Sequence, residues 1–197
     1  MFSGIIETTT DINNVSDETE DGVKLTFQKP SNWDDLALGE SINTNGVCLT
    51  ITAIREAEYE CYVMNETRLV STFGSKIPNK VNLERALKAN GRIDGHFVQG
   101  HVDKVGSIKD ISKEDGTRLK IQIDPNDKKL LVLKGSVAVD GISLTLSDIE
   151  SDNFEVSIIP YTLEHTTLGS LDIGDKVNLE FDILGKYVQS NLESYNP

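Results

Sequence analysis

A cysteine and a serine hold matching places in two copies of one short motif, and both residue types can act as nucleophiles. Residues 45–50 read Asn-Gly-Val-Cys-Leu-Thr, and residues 140–145 read Asp-Gly-Ile-Ser-Leu-Thr. On a strand, alternation places Cys48 and Ser143 each on one face with the threonine two residues later. A lone cysteine is more often a small buried hydrophobic residue. A core position does not usually alternate between thiol and hydroxyl beside a shared threonine, so the motif favours two similar polar pockets.

Three histidines are the other candidates for chemistry. His96 and His101 lie five residues apart, which turns them to opposite faces of a strand and about 140° apart on a helix. They are therefore poor partners for one metal ion with His165, and the sequence predicts no metal site. Histidine as a residue type titrates near neutral pH, which makes His101 a candidate general acid or base. The chain has no glycine-rich phosphate loop, Gly-x-Ser-x-Gly turn or Cys-x-x-Cys pair, so no cofactor is predicted.

The elements that position these residues are duplicated along the chain. Residues 80–84, Lys-Val-Asn-Leu-Glu, recur letter for letter at 176–180, and the Cys48 and Ser143 motifs share the same offset of 95 to 96 residues. Solenoid repeats are shorter, about 20 to 50 residues, so this period indicates two copies of a whole domain. The predicted division is an N-terminal domain at 1–94, a C-terminal domain at 95–184 and a terminal helix at 185–197.

Short strands separated by turn signals make up each copy. In the first copy we predict strands at 4–10, 23–28, 40–43, 47–54, 59–65 and 80–85, and a short helix at 32–39 that Asn32 caps and Gly39 ends. The matching helix of the second copy is predicted at 125–135. This order predicts a mostly β protein, a tandem duplication of a six-stranded Greek-key β-barrel followed by a C-terminal helix. Apolar residues form one stripe on that helix, which either packs on its own barrel or faces a partner: Leu184, Tyr187, Val188, Leu192 and Tyr195.

Charge and cysteine usage limit the classes of function. Lys and Arg total 19 against 32 Asp and Glu, for a net charge of −13. Such a surface repels phosphate backbones and anionic lipids, so nucleic-acid and membrane roles are not expected. The N-terminus lacks the features of a signal peptide, which predicts a cytoplasmic protein. Cys48 and Cys61 fall on neighbouring predicted strands, with Cys61 near Thr52 or Ala53, and are expected to stay reduced.

Seven motifs, in order and without large gaps, resemble the riboflavin synthase family. They are Met-Phe-Ser-Gly-Ile-Ile-Glu at 1–7, Asn-Gly-Val-Cys-Leu-Thr at 45–50, Val-Asn-Leu-Glu-Arg-Ala-Leu at 81–87, Gly-His-Phe-Val-Gln-Gly-His-Val-Asp at 95–103, Asp-Gly-Ile-Ser-Leu-Thr at 140–145, Glu-His-Thr-Thr-Leu-Gly at 164–169 and Asp-Ile-Leu-Gly-Lys-Tyr at 182–187. Any one of them is a weak signal, whereas seven collinear motifs make a strong one.

The resemblance implies a transferase without metal or redox cofactor. Members of the family join two molecules of 6,7-dimethyl-8-ribityllumazine by moving a four-carbon unit between them. The products are riboflavin and 5-amino-6-ribitylamino-pyrimidinedione. Each barrel binds one lumazine, and the C-terminal helix usually assembles homotrimers. The active site then forms where the N-terminal barrel of one subunit faces the C-terminal barrel of a neighbour.

The resemblance also implies the site residues. It assigns catalysis to Cys48, Ser143 and His101, and it leaves open whether one of these or a bound water carries each proton. The substrate-binding residues that it implies are Gly4, Ile5, Ile6, Cys48, Leu49, Thr50, Glu66, Thr67, Gly100, His101, Val102, Lys134, Ser143, Leu144, Thr145, Ile158, Ile159, Pro160, Tyr161 and Thr162.

One segment departs from the family pattern. Family members typically read Pro-Glu-Thr-Leu-Arg-x-Thr-Asn-Leu-Gly where residues 65–74 read Asn-Glu-Thr-Arg-Leu-Val-Ser-Thr-Phe-Gly. This keeps open an alternative, a non-catalytic lumazine- or flavin-binding relative, as the light-emitting antenna proteins are. Such relatives tend to lose the pocket residues of the second barrel. This chain keeps those pocket residues, which favours the enzyme: Ser143, Thr145, His101 and residues 164–169.

Overall fold

Two closed antiparallel barrels form the body of the computed structural model, which describes residues 1–16, 19, 21–114 and 116–195, without the side chains of Ser75 and Tyr195. The strands of the first barrel are β1 (Thr8–Ser16), β2 (Gly22–Gln28), β3 (Ser41–Thr44), β4 (Val47–Ile54), β5 (Glu58–Met64) and β6 (Lys80–Arg85). The strands of the second are β7 (Lys104–Ser112), β8 (Thr117–Gln122), β9 (Ser136–Val139), β10 (Ile142–Ile149), β11 (Asn153–Ile158) and β12 (Lys176–Phe181).

The two barrels share one topology. Around the first barrel the strands follow the order β1-β2-β5-β4-β3-β6, and the second barrel repeats this order with its own six strands. The helices also correspond: α1 (Asn65–Val70) and α2 (Thr72–Ser75) match α3 (Pro160–His165) and a 3-10 turn at Thr167–Ser170. A terminal helix, α4 (Ile183–Tyr195), follows the second barrel. The predicted duplicated barrel and C-terminal helix are therefore confirmed.

The predicted strand faces follow from alternation along β4. Val47, Leu49 and Ile51 point into the first core, while Cys48 is half-buried and Thr50 is exposed on the outer face. The second barrel repeats this pattern along β10, where Ile142 and Leu144 lie in the core. Polar side chains of both motifs thus stand on the outside of their barrels.

Two predicted elements of the first copy are wrong. The first strand begins at Thr8 rather than residue 4, because the residues before it leave their own barrel. Residues 32–39 form turns rather than a helix, since Trp33 is buried in the core and Gly39 donates its N–H to Ile51 of β4. In the second copy a 3-10 turn covers Pro125–Leu130, so the helix predicted at 125–135 is shorter and tighter. A bulge in β4 sets Cys61 opposite Ile51 rather than Thr52 or Ala53, and both cysteines are free.

A buried polar network of matched hydrogen bonds joins the two barrels. Asn82 donates its backbone N–H to Asn45 Oδ1 at 2.6 Å, and Asn178 donates its own to Asp140 Oδ1 at 2.8 Å. The side-chain amides cross over: Asn82 Nδ2 donates to the Asp140 carbonyl, and Asn178 Nδ2 to the Asn45 carbonyl. Asp140 is therefore a buried carboxyl at a place where the first copy has an amide.

Replacing Asp140 by Asn should stabilise the protein more at pH 8 than at pH 5. Burial raises the pKa of Asp140 from 3.8 to about 7, so the folded chain holds this proton more tightly than the unfolded chain. Stability conferred by that proton is lost as the pH rises from about 4 to about 7, by up to about 4 kcal/mol. The amide of Asn45 shows that Asn fits the same contact. Melting curves of both proteins at the two pH values test this, and an equal difference at both would contradict it.

Candidate active site

The first residues of each copy leave their own barrel and pair with each other between the two barrels. Phe2 and Val98, which match in the duplication, form an antiparallel bridge: Phe2 donates to the Val98 carbonyl at 2.7 Å and Val98 donates back at 3.1 Å. Both side chains are fully buried in a small cluster with Ala138. The segments on either side of this bridge are therefore fixed between the two barrels rather than on their own barrel alone.

Each crossing segment lies directly against the polar residue of the opposite motif. The Gly4 carbonyl accepts the backbone N–H of Ser143 at 2.8 Å, and the Gly100 carbonyl accepts that of Cys48 at 2.8 Å. Both glycines have a left-handed backbone, with φ +78 and +77, and a Cβ on either would stand 2.6 Å from the Cβ of its neighbour. Only glycine fits both the backbone and the space.

The residues that follow the two glycines continue into the opposite cores. Ile6 packs against the core of the second barrel, and Val102 packs against the core of the first. Ile5 and His101, which match in the duplication, are exposed between them. Each candidate pocket thus combines a strand of one copy with the first residues of the other copy.

Helices α1 and α3 supply the remaining predicted side chains. Glu66 and Thr67 lie in the first turns of α1, and Tyr161 and Thr162 occupy the same places in α3. Three predicted substrate-binding residues point their side chains into the cores, so only their main chains can reach a ligand: Leu49, Leu144 and Ile158. Ile159 and Pro160 are exposed at the start of α3.

Ser143 has a histidine partner that the sequence analysis missed. His96 Nδ1 lies 2.7 Å from Ser143 Oγ. Burial lowers the pKa of His96, and nearby Asp182 partly opposes this, so burial favours the neutral imidazole, in which Nδ1 or Nε2 keeps a lone pair. His96 Nε2 is buried and has no hydrogen-bond partner among the described residues.

The sequence gives no local signal for this pair, because His96 and Ser143 lie 47 residues apart in the chain. The two pockets differ in this respect: Ser143 has the imidazole of His96 beside it, whereas no histidine of the described residues hydrogen-bonds to Cys48. The sequence analysis considered His96 only as a metal ligand, and its spacing from His101 argued against that role.

Comparison with known proteins agrees with the duplicated architecture. The model of the lumazine binding domain matches twice, at residues 3–86 and 99–182. The riboflavin synthase of Actinobacillus pleuropneumoniae is 42% identical over 98% of this chain and 90% of its own. That of Bacillus subtilis is 40% identical over 100% and 92%, and that of Schizosaccharomyces pombe is 34% identical over 99% and 95%. The chain belongs to the riboflavin synthase family.

Solved structures agree on the fold. A structure of LumP complexed with 6,7-dimethyl-8-(1'-D-ribityl) lumazine superposes with a TM-score of 0.81 at 21% identity, covering 92% of this chain and 99% of that chain. LumP complexed with riboflavin gives a TM-score of 0.82 at 23% identity, covering 92% of this chain and 99% of that chain. Because the identity is this low, the likeness to LumP establishes the fold alone, a double barrel.

The segment that departs from the family pattern keeps its structure. Residues 65–74 still form α1 and most of α2, which match α3 and its 3-10 turn in the second copy. Gly74 lies where a Cβ would stand 2.0 Å from the Arg68 carbonyl, and Gly169 has the same relation to the Leu163 carbonyl at 2.2 Å. The residues that differ from the family pattern at 65–74 therefore leave this end of the first pocket with the same backbone structure as the matching end of the second pocket.

Lys134 adopts a backbone that lysine disfavours. Its φ is +65, and its N–H bonds to the Leu146 carbonyl just as that of Gly39, with φ +83, bonds to Ile51 in the first copy. A left-handed conformation costs a lysine about 1 kcal/mol or more, where glycine has no such penalty. The first copy avoids this strain because glycine occupies the matching position.

Replacing Lys134 by Gly should separate function from stability. The change removes the left-handed strain, so the free energy of unfolding is expected to stay constant or rise by about 0.5 kcal/mol once the entropy of glycine is counted. Loss of the ammonium group should raise KM by roughly ten-fold, about 1.4 kcal/mol. Steady-state kinetics test the expected rise in KM, and denaturant unfolding tests the expected free energy of unfolding. A stable variant with unchanged KM would remove Lys134 from the site.

The described residues contain no group of three or more His, Cys, Asp or Glu side chains that could hold a metal ion. His101 is exposed and donates its backbone N–H to Glu180 at 2.8 Å, while His165 stacks on Tyr161 with ring centroids 3.9 Å apart. Within the described part of the chain, no helix is long and apolar enough to cross a membrane.

Proposed function

We propose that this chain is the riboflavin synthase that its family membership implies, and that it joins two molecules of 6,7-dimethyl-8-ribityllumazine to give riboflavin and 5-amino-6-ribitylamino-pyrimidinedione. The observation that carries the proposal is the pair of matched crossings, Gly4 on Ser143 and Gly100 on Cys48. Two like pockets suit a reaction between two identical molecules. Relatives at 34–42% identity named riboflavin synthase favour the enzyme over a non-catalytic lumazine- or flavin-binding protein.

The roles of the side chains follow from the chemistry. One lumazine must lose a proton from its 7-methyl group, and the other must be attacked at C7 by a nucleophile. We propose that Ser143 acts in the second pocket, with His96 as the neutral acceptor of its proton at 2.7 Å. Cys48 supplies the thiol of the first pocket, and the proposed proton carrier there is the exposed imidazole of His101, which follows the Gly100 whose carbonyl accepts the Cys48 N–H.

The remaining contacts to substrate are assigned by position. The main chains of Gly4 to Ile6 and of Gly100 to Val102 border the pteridine edges. The side chains proposed to bind substrate, including its ribityl hydroxyls, are Thr50, Glu66, Thr67, Lys134, Thr145, Tyr161 and Thr162, all exposed or half-buried. Leu49, Leu144, Ile158, Ile159 and Pro160 contribute through the main chain.

The test of the proposed function is a direct assay. Incubating the purified protein with 6,7-dimethyl-8-ribityllumazine alone should produce riboflavin absorbance, at the same rate with excess chelator and without any nucleotide. Tight lumazine binding without riboflavin formation would identify the non-catalytic relative instead. A rate abolished by chelation and restored by zinc would contradict the metal-free reaction.

Replacing Ser143 by Ala should lower kcat/KM by about ten-fold, or about 1.4 kcal/mol of transition-state stabilisation, and leave the melting temperature nearly unchanged. Alanine fits the space of a serine, so packing alone predicts little effect. Cys48→Ser is the matched control in the other pocket: it keeps a polar atom and should stay partly active. Unchanged turnover in Ser143→Ala would move the chemistry to His101, Lys134 or a bound water.

The assembly is also a proposal. Leu184, Tyr187, Val188 and Leu192 of α4 are all more than half exposed, so the stripe does not pack on its own barrel; the side chain of Tyr195 lies outside the described residues. We propose that this stripe holds a homotrimer, in which the pockets of neighbouring cytoplasmic subunits face each other. The proposed division of the chain stays at 1–94, 95–184 and 185–197, since the strand bounds of both barrels fall inside it.

A further inference from the structure

We propose that Glu84 and Glu180 are positioning residues that act across the molecule: Glu84 of the first barrel sets the Ser143 pocket of the second barrel, and Glu180 of the second barrel sets the Cys48 pocket of the first. Both are the last residue of the repeated Lys-Val-Asn-Leu-Glu motif. The inference rests on the proposed function only in taking the two pockets as the substrate sites.

Glu84 holds the crossing segment of the first copy by its main chain. Its Oε1 accepts the backbone N–H of Ser3 at 2.7 Å and the Ser3 hydroxyl at 2.8 Å, and its Oε2 accepts the N–H of Gly4 at 3.0 Å. The next link is the Gly4 carbonyl, which accepts the N–H of Ser143. Two hydrogen bonds in series therefore connect the Glu84 carboxylate to the backbone of Ser143.

Glu180 repeats this arrangement in the second copy. Its Oε1 accepts the N–H of Gln99 at 2.6 Å and its Oε2 accepts that of His101 at 2.8 Å. Between these two residues stands Gly100, whose carbonyl accepts the N–H of Cys48. The carboxylate thus accepts one hydrogen bond on each side of the glycine that covers Cys48.

Burial makes these contacts matter. Glu84 is 4% exposed and Glu180 is 2% exposed, so water cannot replace the backbone donors, and charge-assisted hydrogen bonds of this kind are about twice as strong as neutral ones. Burial raises the pKa of each carboxyl, while the donated N–H groups act in the opposite direction. Replacing Glu by Gln puts an NH2 group against a row of N–H donors, and at least one contact is lost.

The consequence is a crossed pattern. Loss of the Glu84 contacts frees residues 3 and 4, which touch the second barrel at Ser143, and leaves the Gly100 contact with Cys48 in place. Loss of the Glu180 contacts does the reverse. A purely structural role for each carboxylate would instead weaken its own barrel.

Thiol alkylation can read each pocket without turnover. Cys48 is half-buried beneath Gly100, whereas Cys61 is fully buried and burial raises its pKa to about 12, so iodoacetamide should report on Cys48 alone. The matched reporter for the second pocket is Ser143→Cys in a Cys48→Ser background. Each reporter is combined with Glu84→Gln or Glu180→Gln, and the rate is followed by peptide mass spectrometry.

We expect Glu180→Gln to raise the alkylation rate of Cys48 at least five-fold and Glu84→Gln to change it less than two-fold. For the Ser143→Cys reporter we expect the opposite: Glu84→Gln should raise its alkylation rate at least five-fold, and Glu180→Gln should change it less than two-fold. Equal acceleration of both reporters, no acceleration, or acceleration within the same barrel would each overturn the proposal. If a Gln variant lacks a cooperative melting transition, Glu84→Asp and Glu180→Asp, one methylene shorter, are judged by the same crossed criterion. Because alkylation requires no substrate, a chain inactive toward lumazine would still decide the question.

Discussion

Deleting residues 2–4, so that Met1 precedes Ile5, should lower kcat/KM for riboflavin formation by at least about a hundred-fold, or about 2.7 kcal/mol. The deletion lies outside every strand, since β1 begins at Thr8. It removes fully buried Phe2, its bridge to Val98, and the Gly4 main chain that borders Ser143. The second pocket then lacks one wall although its own barrel is intact.

Gly4→Ala is the finer version of this experiment, and Gly174→Ala is its matched control. Both glycines have a positive φ, +78 and +96, so alanine costs backbone strain at either place. A Cβ at residue 4 would stand 2.6 Å from Ser143 Cβ, whereas nothing lies within 4 Å of one at residue 174. Activity should therefore fall strongly in Gly4→Ala alone, while the loss of melting temperature in Gly174→Ala measures the part that backbone strain contributes. Full activity of the Gly4→Ala variant would refute the idea that this segment walls the pocket.

Alternation and repetition made much of the fold predictable. The bounds of β4 and β6 match the prediction residue for residue. Along β4 one face is apolar over the whole strand, and in β6 the apolar residues Val81 and Leu83 alternate with polar ones between clear turn signals. The letter-for-letter repeat at 80–84 and 176–180 predicted the second barrel from the first. These features depend on neighbours along the chain, which a sequence displays.

Contacts between distant segments could not be predicted in this way. Residues 4–6 resemble the start of a strand, yet Gly4 bonds to Ser143 and Ile6 packs on the core of the opposite barrel, which is far away in sequence. The pairing of His96 with Ser143 spans 47 residues, and no local spacing reveals it. Asn32 and Gly39 carry helix signals, but burial of Trp33 in the core overrides them.

Truncating the chain after Gly185 should dissociate the proposed trimer and lower the activity of a dilute sample by ten-fold or more. The helix α4 is fixed to its own barrel by ion pairs, Lys186 with Asp103 and Lys129 with Glu193, and not by its apolar stripe. Burying a side chain such as Leu192 in a partner contributes about 1.5–3 kcal/mol, so even two such contacts per interface change association by about a hundred-fold or more. Activity should recover as the concentration of the truncated chain rises.

A charge placed on either face of α4 separates the stripe from the helix as a whole. Val188→Asp puts a carboxylate on the exposed apolar stripe, whereas Ser190→Asp adds the same charge at an exposed polar position of the same helix. The net charge of −13 becomes −14 in both variants, so they differ only in the position of the added carboxylate. Light scattering should therefore show dissociation of the assembly in Val188→Asp alone. Added salt should strengthen the wild-type trimer, since it screens repulsion between acidic subunits. A truncated chain that stays trimeric and fully active would assign assembly to another surface, and identical behaviour of the two charge variants would leave the apolar stripe without a role in it.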